Sequence, residues 1–81
     1  MQVRLRLFAI AKDRVGRPLL TISLPERATV GDLKRALATE FPALNDLIPS
    51  LMIAVESEYA TDDRILQPGA EIAAIPPVSG G

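Results

Sequence analysis

The chain contains no cysteine and no histidine. Without cysteine it has no disulfide, no thiolate zinc site and no nucleophilic thiol. Without histidine it lacks the usual general base and the commonest metal ligand, and with them every Ser/His or Cys/His arrangement. The remaining sulfur sits in the thioethers of Met1 and Met52, which cannot form a thioester or persulfide. Asp62 and Asp63 adjoin, but no further carboxylate stands at calcium-loop spacing, so the pair reads as a solvated turn and no metal site is expected. Aromatic residues are scarce, two Phe and one Tyr, and the formal net charge is −1; both argue against general nucleic-acid binding. No apolar run approaches the length of a membrane span, and the opening MQVRLRLFAI alternates instead of forming a signal-peptide block. A cysteine-free chain with no sorting signal is expected in the cytoplasm, away from membranes.

What is present is enough for one domain. A chain of 81 residues lies near the lower end of what folds unaided. It buries roughly 60% of its extended surface, enough for one core but no deep internal active site. Its charges are unevenly placed: up to Arg35 there are eight basic and three acidic residues, and beyond it one basic and seven acidic. Whether that gradient makes a two-faced surface depends on how the halves interleave.

In QVRLRLFA, Val3, Leu5 and Leu7 alternate with Arg4, Arg6 and Phe8, the period-two pattern of a strand with one buried face. AIAKDRVG reads as a short helical turn ending at Gly16. A second alternating strand sets Leu20, Ile22 and Leu24 against Thr21 and Ser23, and Pro25 ends it. ATVGDLKRALATEFP is the main helix. Thr29 caps it, Asp32 stands at capping-box spacing, and Val30, Leu33, Leu37 and Phe41 form one stripe while Lys34, Arg35 and Glu40 face out. Pro42 closes the helix. PALNDLIPS is irregular, LMIAVES is a strand, EYATDDRIL holds a turn and a short strand, QPGA is a turn and EIAAIPP is the last strand. One helix covers one face of a four- or five-stranded mixed sheet, so the pattern predicts an α+β fold of the β-grasp, or ubiquitin-like, type. A ferredoxin-like arrangement needs a second full helix. Residues 1–76 form the expected domain and 77–81 an extended, flexible, reactive tail.

If Ile72 and Ala74 are core, then Phe8, Ala73 and Ile75 lie on the helix-free side of the sheet. In a β-grasp the first and last strands are neighbours, so these three form an exposed apolar patch suited to a partner. The chain then ends IPPVSGG. Pro76 and Pro77 cannot donate to a ladder and fix an extended, semi-rigid exit. Val78 and Ser79 follow, and then Gly80 and Gly81, whose backbone passes where a Cβ would clash. A stiff base, a thin tip and a free carboxylate suit insertion into another protein's narrow channel. The carboxylate would attack ATP there to give an acyl-adenylate, followed by acyl transfer. With neither Cys nor His in the chain, activation falls to a partner enzyme, and sulfur, if involved, rides as a thiocarboxylate on Gly81.

Over nearly its whole length the sequence resembles the molybdopterin synthase small-subunit family. The resemblance rests on the opening strand into FAIAKDRVG, on ATVGDLKRALATEFP, MIAVESEYATDD and LQPGAEIA, and most specifically on IPPVSGG. It implies a β-grasp sulfur carrier that binds no cofactor itself. An ATP-dependent activating enzyme, using ATP and Mg, adenylates Gly81, and a sulfurtransferase system converts it to a thiocarboxylate. The tail then enters the large subunit and gives sulfur to the cyclic pterin precursor in molybdenum cofactor biosynthesis. On this carry-over Gly80 supplies clearance, and Phe8, Ala73, Ile75, Pro76, Pro77, Val78 and Ser79 contact the partner. Other carriers on the same fold (for thiazole synthesis or tRNA thiolation), a protein modifier joined to lysines and a plain interaction domain share parts of the pattern. The proline pair favours the first reading over the thiazole carriers. One stretch departs from the family: after Val55 it usually has Asn or Asp, often with Gly, whereas Glu56–Glu58 offers no residue suited to positive φ.

Overall fold

A computed structural model describes residues 1–77. The expectations for Val78, Ser79, Gly80 and Gly81 lie outside the described residues. The elements run β1 (Gln2–Leu7), α1 (Ala9–Val15), β2 (Leu19–Ser23), α2 (Val30–Glu40), two 3-10 turns (Pro42–Leu44 and Ile48–Ser50), β3 (Met52–Val55), β4 (Glu58–Ala60) and β5 (Glu71–Ile75). The five strands form one sheet in the order β2-β1-β5-β3-β4. β1 and β5 pair in parallel at its centre, with Leu5 opposite Ile72 and Leu7 opposite Ala74; the other pairings are antiparallel. This is the β-grasp arrangement, and the ferredoxin-like alternative falls because α1 is only seven residues long.

Alternation places each strand's side chains. In β1 Val3, Leu5 and Leu7 are buried and Gln2, Arg4 and Arg6 exposed. β2 repeats the pattern through Leu20 and Ile22, β3 through Ile53 and Val55, and β5 through Ile72 and Ala74. All join one core with Val30, Leu33 and Leu37 of α2, and Phe41 packs against its edge. Among the described residues the core holds no polar or charged side chain.

α2 starts where the sequence predicts. The Thr29 hydroxyl accepts the Asp32 N–H at 3.2 Å, and the Asp32 carboxylate accepts the Thr29 N–H at 2.9 Å, a reciprocal capping box. Two further helix-start donors are satisfied from outside, Val30 N–H by the Arg64 carbonyl at 3.0 Å and Gly31 N–H by that of Asp62 at 2.9 Å. Lys34, expected to point outward, is instead partly buried and bonds Asp62 at 2.8 Å. α1 ends as expected at Gly16, whose φ of 85° lets its N–H reach the Lys12 carbonyl.

Two turns set the ends of the later strands. At Gln67–Ala70 the Ala70 N–H bonds the Gln67 carbonyl at 3.1 Å with Gly69 at φ 74°, a type II turn with Pro68 at its first central position. Between β3 and β4 the hairpin loop has only two residues, and both Glu56 (φ 51°) and Ser57 (φ 70°) are left-handed. That is type I′ geometry on residues that do not favour it, at about 1–2 kcal/mol each. Contacts to β5 hold it: Glu56 N–H bonds the Glu71 carbonyl at 3.1 Å, and Glu71 N–H bonds the Glu56 carboxylate at 3.3 Å.

Ion pairs interleave the basic first half of the sequence with the acidic second half. Arg4 pairs with Glu71, Arg14 with Asp46 and Lys34 with Asp62, so each of these pairs links the basic half to the acidic half.

Two outcomes follow from the turn and the cap. Ser57→Gly relieves a left-handed position and is expected to raise stability by about 1 kcal/mol, read as a higher urea midpoint at unchanged slope. The Thr29 N–H, and next the Arg35 guanidinium, hold the Asp32 carboxyl below its ordinary 3.8. A depressed folded value contributes stability that is complete above 3.8 and lost as pH falls through the lower folded value. Acid titration of unfolding is therefore expected to show a limb below 3.8 that Asp32→Asn flattens.

Candidate functional site

The sheet face away from α2 carries the out-of-phase residue of every strand. Cross-strand pairing arranges them in rows. The row nearest the chain's exit is apolar: one step beyond the pair Leu7–Ala74, Phe8 is extended backbone (φ −128°) beside Ile75, and Ile75 pairs with Met52. Phe8 is 42% exposed and Met52 46%, while Ile75 is half-buried. The next row runs Leu19, Arg6, Ala73, Ala54, Tyr59. The third runs Thr21, Arg4, Glu71, with Arg4 held to Glu71 at 3.0 Å. An open concavity crosses the last two rows, lined by Arg4, Arg6, Leu19, Ala54, Glu71 and Ala73.

Phe8, Ala73 and Ile75 thus come together on one face, as the alternation predicts. Pro76 does not join them: it is buried, and Pro77 is the first exposed residue of the exit. Burial of its ring anchors the tail to the body, in place of the surface contact expected of it. Val78, Ser79, Gly80 and Gly81 lie outside the described residues. Leu19, Met52, Ala54 and Tyr59 enlarge the patch. Their signal was available in phase alone: Met52 and Ala54 alternate with buried Leu51, Ile53 and Val55, and Leu19 precedes buried Leu20.

A flat apolar strip of this kind suits protein docking more than chemistry. Among the described residues no cluster of His, Cys, Asp and Glu could hold a metal ion, and no helix is long and apolar enough to cross a membrane.

The ThiS family pattern matches residues 5–81. The chain is 36% identical to the molybdopterin synthase sulfur carrier subunit of Arabidopsis thaliana over 81 residues, all of this chain and 84% of the relative. It is 39% identical to the protein of that name from Homo sapiens over 83 residues, covering 99% of this chain and 94% of the relative. Among solved structures it resembles small archaeal modifier protein 1 of H. volcanii with a TM-score of 0.86 and 27% identity, covering 95% of this chain and 98% of that one.

The two sides of β5 are expected to respond oppositely to substitution. Ile72→Ala, on the core side, should cost on the order of 2–5 kcal/mol in urea denaturation. Phe8→Ala and Ile75→Asp should each stay within about 1 kcal/mol of the parent. Unfolding by either of the latter would place those residues in the core.

Proposed function

The chain belongs to the ThiS family, and on that footing we propose that it is the sulfur-carrier subunit of a molybdopterin synthase, non-catalytic alone. The observation that carries this reading is that exposed Phe8, one residue past β1, and the pair Ile75–Met52 sit at the end of the sheet where the chain leaves it at Pro76 and Pro77. A large subunit seated on that row would cover the point where the described chain leaves the sheet at Pro76 and Pro77.

The chemistry belongs to Gly81. Its carboxylate oxygen attacks the α-phosphorus of ATP on an activating enzyme, pyrophosphate leaves, and an acyl-adenylate forms. Hydrosulfide delivered by a sulfurtransferase system then attacks the acyl carbon, AMP departs and the thiol proton is lost, leaving a thiocarboxylate. In the large subunit the thiocarboxylate sulfur displaces an oxygen substituent at a carbon of the cyclic pterin precursor to form a thioester. Water then cleaves the acyl–sulfur bond, leaving the sulfur on the pterin and a carboxylate on Gly81. No residue of this chain is a Cys or His, so on this reading the sulfur nucleophile, base, ATP and Mg come with the partners. Gly80, with no side chain, is assigned the clearance next to Gly81, and Val78 and Ser79 the contacts with the partner behind it. A second reading, a protein modifier joined to lysines, draws support from the likeness to the archaeal modifier protein. It differs in product, an isopeptide at Gly81 in place of a thiocarboxylate.

Removing Gly81 tests the proposal. It pulls the carboxylate back by up to about 3.5 Å. Because a 1 Å misplacement already costs about 100-fold, both adenylation and dithiolene formation should fail. Gly81→Ala should lose activity in part and Gly80→Val more, through the added bulk. Unfolding midpoints should stay within about 0.5 kcal/mol of the parent. Full activity after removal of Gly81, in reactions with the cognate activating enzyme and large subunit, would contradict the carrier reading.

A further inference from the structure

The two arginines of the helix-free face have different surroundings. Arg4 is neutralised by Glu71 at 3.0 Å, and Glu71's backbone N–H is itself bonded to the Glu56 carboxylate. Arg6 sits one row closer to the exit, paired across β2 with Leu19 and across β5 with Ala73. Among the described residues it has no ion-pair partner, and its own row, Leu19, Ala73, Ala54 and Tyr59, holds no acid. Arg6, without an ion pair among the described residues, thus stands at the border of the apolar strip, between Leu19 and Ala73 in its own row, with Ile75 one row toward the exit and the Arg4–Glu71 pair one row behind.

Any partner that covers the strip must take Arg6 out of water. An isolated cation buried in an apolar interface costs several kcal/mol, and the cost is offset only by an opposing, well-hydrogen-bonded charge. Arg offers a planar fork that a carboxylate meets with two parallel bonds. We propose that Arg6 is a specificity-determining residue of the docking face, and that the cognate large subunit presents a carboxylate against it within an otherwise apolar contact surface. This rests on the docking reading above and deepens it by assigning a charge to the partner. A surface that is apolar throughout, or basic at this point, is rejected by the desolvation cost of Arg6.

The test is calorimetric binding of this chain to the large subunit encoded by the same genome, at low and high salt, with Phe8→Ala as the control for the face itself. Arg6→Met keeps the stem and removes the charge; leaving the facing carboxylate buried and unpaired should lower affinity about 30-fold or more. Arg6→Glu should lower it further, and Arg6→Lys should retain most of it. The salt dependence of binding should shrink in Arg6→Met. Thermal unfolding at the parent's midpoint confirms that each variant is folded. If Phe8→Ala weakens binding while Arg6→Met binds as tightly as the parent or tighter, the carboxylate assignment is overturned and the docking face stands. If neither change affects binding, the docking face itself is overturned and the assignment with it.

Discussion

The parallel pairing of β1 with β5 at the centre of the sheet is the contact on which the other features depend. It joins the two ends of an 81-residue chain, and its register, Leu5 to Ile72 and Leu7 to Ala74, aligns their buried residues on one side. A slip of one residue would turn the β5 set to the opposite face and expose Ile72 while burying Glu71. α2 then covers the apolar side, with its start fixed by the Thr29–Asp32 box and by carbonyls of Asp62 and Arg64. The same register brings Phe8 to Ile75 and sends the chain out beside them.

The division of labour follows from size. A domain this small spends one sheet face on its core. Ionisable side chains stay at the surface, and several of them tie the basic first half to the acidic second half through Arg4–Glu71, Arg14–Asp46 and Lys34–Asp62. The second face is free to be covered by another protein. On the proposed reading the reactive group is the Gly81 carboxylate, and with no Cys or His in the chain its activation falls to partner enzymes.

Much of this was legible in the sequence because strand alternation and the capping box are local signals. Val3–Leu5–Leu7 and Thr29–Asp32 announce themselves within a few residues, and the type II turn at Pro68–Gly69 follows from two residue types. The neighbouring of Phe8 and Ile75 needed the fold as well as the pattern. The less legible features depend on contacts distant in sequence. The Glu56–Ser57 turn adopts left-handed geometry against its residue preferences because the hairpin register and the bonds to Glu71 leave no other closure. Pro76 reads as an exit residue, yet its ring is taken into the body. Lys34 reads as solvated until the loop bearing Asp62 folds over it. Met52, Leu19 and Tyr59 carry a phase signal, but only sheet order places them in one strip with Arg6.

The central claim, that Gly81 carries sulfur, is addressed most directly by the intact mass of the protein made alongside its activating enzyme and sulfurtransferase system. The account predicts a population heavier by the difference between a sulfur and an oxygen atom, with the extra mass on the C-terminal peptide ending in Gly81. A protein that keeps the carboxylate mass while the activating enzyme is turning over, or that carries the added mass elsewhere in the chain, would contradict it.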